Sequence, residues 1–272
     1  DDFGFTRYDR CLSRDDPGFS GDDTGRTPRD QERSERRSPC SRGDNLPEKD
    51  KSFSLQDQTF TRDDLSLVSA VHHENARKNP YAQFKREISK EAVSASTPIA
   101  DPLRLLDCSP ISDGAAAVIL STKHKNDLRL AASQIATDSL SLADRASLTT
   151  FPATKEAVAR AWQEADIRTE DISHLETHDC FSIAAIINVE DLGFAAPGKG
   201  IGLYKAKETP VTVNKSGGLK ACGHPVAATG VKQLSDIAKQ LQASGKRYGL
   251  AHNFGGAAAS SAIHILEYTH AT

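Results

Sequence analysis

The feature that most constrains this chain is the alternation of short apolar runs with helical patterns over its carboxyl-terminal half. Residues 154–166 place apolar side chains at i, i+4 intervals, which predicts an amphipathic helix with Thr154 as its N-cap. Further strands and helices are predicted in turn at residues 174–177, 182–192, 210–214 and 225–243. Strands that alternate with helices in this order predict the α/β fold class.

Three more elements follow from local signals. Thr61 stands before Asp63, Asp64 and an apolar pattern, so a helix is predicted to begin there and to end near Asn79. Residues 115–120 form a continuous apolar run, which predicts a strand buried on both faces. Residues 248–253 and 258–268 form the two arms of a predicted hairpin, with Gly255 and Gly256 between them.

The first part of the chain has a different composition. Up to about Lys51 it mixes Asp, Glu and Arg with Gly, Ser and Pro and holds few aliphatic side chains. Such a segment cannot bury enough apolar surface to offset the entropy lost on ordering. We therefore predict that residues 1–59 form a disordered head.

Charge and hydropathy exclude several classes of partner. The formal net charge is -3, and acidic and basic residues are interleaved, so neither nucleic acid nor an anionic membrane is indicated. No apolar run approaches the roughly 20 residues that a membrane-spanning helix needs. Asp1 and Asp2 do not fit a secretory signal. The expectation is a soluble intracellular protein, cytoplasmic by default, with a peroxisomal or mitochondrial location left open.

Three polar turns lie at the ends of predicted strands, where open α/β sheets bind their ligands. The turns contain His178, Asp179 and Cys180 in the first, Cys222 and His224 in the second, and Asn253, Gly255 and Gly256 in the third. These side chains and backbone amides are the candidate site residues.

Cys180 is predicted to lie at the start of a helix, where unpaired amides stabilise a thiolate and lower the thiol pKa. Such a thiol could act as a nucleophile or a proton shuttle. The alternative is a buried structural cysteine.

His224 stands between Gly223 and Pro225 at a strand-to-helix turn, which suits a general base or an oxyanion-hole donor. A histidine with only a structural role is the alternative. The backbone around Asn253 and Gly256 could bind an oxyanion, or could form an ordinary turn.

The cysteines and histidines do not predict a metal site. Five cysteines without paired spacing match neither a disulfide framework nor a zinc ribbon, so reduced thiols are expected. Cys222 and His224 are only two positions apart, and His72 and His73 are adjacent. Neither spacing fits a structural zinc site. No metal and no cofactor are predicted.

Five strings in the chain resemble motifs of the thiolase superfamily and occur in the same order. They are NPYAQFKREIS, ADPLRLLDCSPISDGAAAVIL, HDCF, NKSGGLKACGHPVAATG and GLAHNFGGAAAS. The HDCF form, in place of the NEAF form of ordinary thiolases, resembles the sterol-carrier-protein-2 type of thiolase. The resemblance covers roughly residues 61–268.

The resemblance implies a thiolase-like fold of αβαβα layers, of which this chain would contain largely the carboxyl-terminal half and part of the loop domain. By motif order, residues 1–59 would be a disordered or non-homologous head. Residues 60–127 would be the end of the loop domain and the last strand of the amino-terminal half. Residues 128–272 would be the thiolase carboxyl-terminal domain. The family implies a homodimer or a partner chain.

The resemblance also implies roles for the candidate residues. His224 is similar to the histidine that activates the nucleophile, Cys180 to the acid/base cysteine, and His178 to the residue that holds an oxyanion-hole water. Gly255 and Gly256, with Asn253, match the loop at the acyl oxyanion, and Ser109 matches a serine along the pantetheine arm. The substrates implied are acyl-CoA and 3-ketoacyl-CoA thioesters, with coenzyme A as substrate rather than cofactor.

The chain departs from the family pattern at its front. The nucleophilic cysteine of thiolases lies roughly two hundred residues before the HDCF loop, and Cys11 and Cys40, in the charge-dense head, are the candidates here. We expect neither to act, because no strand or buried helix flanks them. The first hypothesis is therefore a truncated thiolase-like acyltransferase without its nucleophile. The second is a non-catalytic module that binds CoA thioesters or lipid, or a partner subunit that completes another chain's site.

Overall fold

Helices and strands are interleaved along the described part of the chain, which in this computed structural model is residues 60–123 and 126–270. The helices are α1 (Arg62–Ala76), α2 (Lys90–Ala95), α3 (Pro152–Ala165), α4 (Ser182–Asp191), α5 (Gly202–Lys205), α6 (Gly218–Cys222) and α7 (Thr229–Ser244). The strands are β1 (Pro98–Ala100), β2 (Leu103–Arg104), β3 (Leu128–Thr137), β4 (Ile172–Glu176), β5 (Thr212–Val213), β6 (Tyr248–Gly255) and β7 (Ser260–Tyr268). The prediction of a disordered head lies outside the described residues. None of the helices within them is long and apolar enough to cross a membrane.

A five-stranded mixed sheet organises the carboxyl-terminal half, with strand order β3-β7-β6-β4-β5. Strand β4 pairs in parallel with both β5 and β6, whereas β7 pairs antiparallel with β3 and β6. Because parallel strands end at the same edge, the turns after β4, β5 and β6 emerge together there. The sheet confirms the α/β class and positions the three predicted polar turns at one edge.

Two helices cover the opposite faces of this sheet. Leu250 packs in the cluster that contains residues of α3, and its neighbour Ala251 packs in the cluster that contains residues of α7. Successive residues of a strand point to opposite faces, so α3 and α7 lie on different sides. The contact with α7 is close, since a Cβ at Gly249 would lie 2.6 Å from Ile237 Cγ2.

Helix α1 begins where the sequence predicts. The Thr61 hydroxyl accepts from the Asp64 amide, and the Asp64 carboxylate accepts from the Thr61 amide, which together form a capping box. The buried face of α1 packs against α4 through Leu65, Val68 and Ile186. This packing brings the histidines of α1 next to the loop that precedes α4.

Two local predictions are wrong. Residues 115–120 form no strand: Ile119 is 80% exposed, and Val118 packs only partly against the cluster on α7. A strand buried on both faces needs a neighbouring strand and a second covering layer, and the described chain supplies neither to this run. Helix α3 begins at Pro152 with Phe151 as its N-cap, so Thr154 lies inside the helix, where it is buried.

Candidate active site

The HDCF loop, residues 178–181, leaves the carboxyl end of β4 and leads directly into α4. His178 is buried, and its carbonyl oxygen accepts a 2.6 Å hydrogen bond from Nδ2 of Asn188 on α4. The Nδ1 atom of His178 is buried and has no hydrogen-bond partner among the described residues. The loop backbone is therefore held by α4, while one ring nitrogen of His178 remains unpaired.

His224 lies in the turn between α6 and α7. Its backbone amide donates to Ser112 Oγ at 3.1 Å, and Ser112 Oγ donates to Gln83 Oε1 at 2.6 Å. Gly223 precedes it with φ +104, and a Cβ there would lie 2.7 Å from Ser112 Oγ. Only glycine permits both this backbone conformation and this close approach. Helix α7 begins at Thr229 rather than at the predicted Pro225, so the turn is four residues longer.

Hydrogen bonding determines the tautomer of His224. Thr229 Oγ1 lies 2.7 Å from His224 Nδ1 and donates its own proton to the Pro225 carbonyl oxygen at 3.1 Å. The hydroxyl has one proton, so it must accept from Nδ1–H. We therefore assign the proton of the neutral ring to Nδ1, which leaves the lone pair on Nε2 available to accept a proton.

The rings of His178 and His224 contact each other edge to face, with centroids 4.9 Å apart. Burial lowers the pKa of His178 to about 3, with a further contribution from His224 that Asp179 partly offsets. Burial also lowers the pKa of His224, again offset by Asp179. Both imidazoles are neutral at neutral pH, so His224 can act as a base.

Cys180 does not have the lowered pKa predicted from its position near a helix start. Burial raises the pKa of its thiol to about 12, although Lys220 lowers it, and Asp179 adds to the increase. The desolvation of a thiolate outweighs the stabilisation by the first amides of α4. Cys180 is therefore a protonated thiol at neutral pH, which suits a proton donor and not a resting nucleophile.

Asp179 anchors the HDCF loop to neighbouring helices. It is fully buried; Oδ1 accepts from the Leu219 amide at 2.7 Å, and Oδ2 lies 2.7 Å from His72 Nδ1. Gly218 has φ +59, and a Cβ there would lie 2.4 Å from Asp179 Oδ2. One carboxylate thus joins the HDCF loop to α1 and to α6, the helix that leads to His224.

The glycine turn connects β6 to β7 and reaches the same site through Phe254, whose ring centroid lies 4.2 Å from that of His178. Asn253 Nδ2 donates to Gln233 Oε1 on α7 at 2.8 Å, so this side chain is fixed away from the turn. Gly255 pairs with Ser260, and Gly256 has φ +58. The turn itself is exposed at Gly256.

Ser109 lies beside the HDCF loop. Its amide donates to the Cys180 carbonyl oxygen at 2.8 Å, and the preceding residue, Cys108, forms a β-bridge with Phe181. The structure therefore brings residues 108–109, the HDCF loop, His224 and the glycine turn to one region. Within the described residues no group of three or more His, Cys, Asp or Glu side chains is arranged to hold a metal ion.

Two contributions to the site were not predicted from the sequence: the hydrogen bond of Thr229 to His224 and the anchoring of the HDCF loop by Asp179. Thr229 stands five residues after His224, and its side chain can reach back because the intervening residues form a turn. A polar residue at the first position of a helix next to a candidate histidine is a signal that could have found it. The contact between Asp179 and His72 joins positions far apart in the chain, and nothing local predicts it.

Replacing Thr229 with valine is expected to redistribute the His224 proton. Valine has the same shape but cannot accept from Nδ1–H, so we expect the Nδ1–H to Nε2–H ratio to fall about tenfold, the equivalent of about one net hydrogen bond. Nitrogen-15 NMR of the imidazole would measure it. Thr154→Val is the matched control, because that buried threonine contacts His252 instead. A His224 ring in Thr229→Val that is still protonated mainly at Nδ1 would contradict the assignment.

Comparison with known proteins places this geometry in context. Residues 135–268 match the family model described as "Thiolase C-terminal domain-like". The chain is 44% identical over 222 residues to an acetyl-CoA acetyltransferase of Methanothermobacter thermautotrophicus. This alignment covers 75% of this chain and 58% of that protein. It is 34% identical over 213 residues to the sterol carrier protein 2 of Oryctolagus cuniculus. This second alignment covers 70% of this chain and 39% of that protein.

A solved structure has the same fold. It is a monomeric SCP2-thiolase-like protein type 1 from Mycobacterium smegmatis, with a TM-score of 0.64 and 20% sequence identity, covering 76% of this chain and 46% of that chain. The chain thus spans 58% of the length of this acetyl-CoA acetyltransferase, 39% of this sterol carrier protein 2 and 46% of this solved structure. The fold is thiolase-like.

Proposed function

We propose that this chain, which belongs to the thiolase superfamily, supplies the acid/base portion of an acyltransfer site for acyl-CoA and 3-ketoacyl-CoA thioesters. One observation carries the proposal. The ring of His224 is neutral, has its proton on Nδ1 and contacts the ring of His178. His178 is two residues before Cys180, whose thiol is protonated. A base and a proton donor next to each other are what carbon–carbon bond cleavage next to a thioester needs.

In the cleavage direction, Nε2 of His224 takes the proton from a nucleophilic thiol as that thiol attacks the 3-keto carbon. The carbon–carbon bond then breaks, and its electron pair leaves as the enolate of acetyl-CoA. The enolate carbon takes the proton of the Cys180 thiol, which becomes a thiolate. A thiol that is protonated at neutral pH is suited to this donation.

The oxyanions are assigned to two other groups. The unpaired ring nitrogen of His178 can orient a water towards an oxyanion, and the backbone amides around Gly255 and Gly256 can donate to the acyl oxygen. Asn253 contributes by fixing the strand before this turn to α7. Ser109 is assigned to the pantetheine arm of coenzyme A, because it lies beside Cys180.

The nucleophile is assigned to none of the described cysteines. The thiol of Cys108 has a pKa raised by burial, Cys180 is the proton donor, and Cys222 is buried against Asn79. We propose that polypeptide outside the described residues contributes it, in a homodimer or a complex with a partner chain. Without it, the covalent route is closed.

Calorimetric titration with acetoacetyl-CoA tests the proposal. We expect saturable binding with a Kd of about 10 μM to 1 mM, in the range of enzyme KM values. Ser109→Leu should weaken binding at least about tenfold, since a branched side chain would meet the pantetheine arm, whereas Ser141→Leu at an exposed position should not. No heat at millimolar ligand would overturn the proposal, and equal affinity of the two variants would remove Ser109 from it. Acetoacetyl-CoA cleavage by the chain alone should not exceed that of His224→Ala.

A further inference from the structure

Lys220 is a fully buried lysine that the mechanism above does not use. It lies on α6 and is 1% exposed, and its Nζ donates to the carbonyl oxygen of Asp107 and not to a carboxylate. An ammonium group is buried only when something in its surroundings compensates its charge. The position of Lys220 therefore needs an explanation.

The two carboxylates that act on the charge of Lys220 are already engaged by other groups. Asp107 lies 2.6 Å from Arg62 Nη1 and accepts from Ser182 Oγ at 2.8 Å. Asp179 is bound by His72 and by the Leu219 amide. These carboxylates raise the pKa of Lys220, but neither forms an ion pair with its Nζ among the described residues.

The surrounding contacts place Lys220 next to the HDCF loop. On one side, the neighbouring Leu219 donates to Asp179, the residue before Cys180. On the other side, the ammonium group reaches Asp107, two residues before Ser109, whose amide donates to the Cys180 carbonyl oxygen. The residue before Lys220 thus bonds the residue before Cys180, and the Lys220 side chain bonds the segment that leads to Ser109, the residue that contacts the Cys180 carbonyl oxygen.

We propose that Lys220 is the buried cation that stabilises the negative charge formed on Cys180 when the thiol gives up its proton. The proton moves from sulfur to the enolate carbon, and the charge that remains on sulfur faces a fixed ammonium group instead of water. Lys220 is therefore a positioning residue that acts through Cys180. This inference rests on the proposed function, in which Cys180 is the proton donor.

The electrostatics of the region agree with this assignment. Lys220 lowers the pKa of the Cys180 thiol, against the increase from burial and from Asp179. Burial lowers the pKa of Lys220 itself, and Asp179, Asp107, Cys180 and Cys108 raise it. The charges that act on the Cys180 thiol are therefore one cation, Lys220, and one carboxylate, Asp179.

Alkylation of Cys180 by iodoacetamide measures its thiolate fraction without substrate. We expect Lys220→Gln, which keeps a donor for the Asp107 carbonyl, to slow the alkylation at least about tenfold at each pH between 8 and 10, the equivalent of one pKa unit. Peptide mass spectrometry distinguishes alkylation of Cys180 from that of the other cysteines. N-acetylcysteine in the same reaction is the internal standard for the concentration of the reagent. An unchanged rate would overturn the proposal. A faster rate would also overturn it, because it would mean that Lys220 only holds the loop closed.

Lys232→Met is the matched control. Lys232 is also a buried lysine, but its ammonium group forms a 2.7 Å ion pair with Asp236 on α7. Its replacement should leave the Cys180 alkylation rate unchanged. An equal slowing in Lys232→Met would contradict a specific role for Lys220.

The wild-type chain provides a test that does not require a variant to fold. A cation near Cys180 favours an anionic reagent, so the ratio of iodoacetate to iodoacetamide rates should exceed that of N-acetylcysteine. A ratio below that of N-acetylcysteine would overturn the proposal. Both alkylation measurements are independent of substrate. If the chain does not bind the thioester but Lys220→Gln still slows alkylation of Cys180, the proposed function is rejected and the role of Lys220 is retained.

Discussion

Replacing Cys180 with alanine is expected to abolish the exchange of the α-hydrogens of acetyl-CoA with solvent deuterium. Exchange requires a base that takes an α-proton, which leaves the enolate, and a group that returns a deuteron to the carbon. By microscopic reversibility, the Cys180 sulfur that donates in the cleavage direction takes the α-proton here as the thiolate, exchanges it with solvent and returns a deuteron. Acid/base groups contribute about 10²–10⁴-fold, so we expect a loss of at least about 100-fold. The reaction needs no nucleophile, and proton NMR in deuterium oxide follows it directly.

The control for this experiment is Cys108→Ala. Cys108 is also partly buried and its thiol pKa is also raised by burial, but its sulfur is hydrogen-bonded to the Arg104 carbonyl oxygen. Exchange by Cys108→Ala should match that of the unaltered chain. If Cys180→Ala retained the wild-type rate, or if the wild-type chain did not exceed buffer, Cys180 would not be the proton donor.

Replacing Asp179 with asparagine is expected to lower the free energy of unfolding at pH 7 by about 3–5 kcal/mol, the effect of breaking a buried charge pair. The asparagine is neutral and cannot balance the charge of Lys220, which is buried and acts on Asp179. Urea denaturation would measure the change. Asp166→Asn is the control, because Asp166 is exposed with φ +53, a conformation that asparagine tolerates.

The pH dependence of this difference has a defined direction. Burial alone raises the pKa of Asp179, but His72, Lys220 and the Leu219 amide lower it, to about 2 against an ordinary value of 3.8. A depressed pKa gives stability that is present above the unfolded-state value and is lost as the pH falls towards the folded-state value. The gap between the unaltered chain and Asp179→Asn should therefore narrow between about pH 4 and pH 2. A gap below about 1 kcal/mol at pH 7, or one that widens in acid, would mean that Asp179 does not anchor the loop.

Local signals in the sequence predicted much of the secondary structure. The capping residues at Thr61 and the helix that ends before Gly193 were predicted because such signals act within a few residues. The hairpin through Gly255 and Gly256 is confirmed with arms at β6 and β7. Strand β3 was not predicted as a strand, although its alternating burial pattern is partly visible in the sequence LRLAASQIAT. The domain boundaries at residues 60–127 and 128–272 stay predictions.

By itself, the sequence determined the α/β class, the resemblance to thiolases and the three turns that hold the candidate residues, because these depend on short-range patterns and motif order. Only the tertiary structure decided the protonation of Cys180, the tautomer of His224 and the anchoring of Asp179 by His72. It also left residues 115–120 without the neighbours that a buried strand needs. Burial and charge at a side chain depend on residues distant in the chain, and local patterns do not encode them.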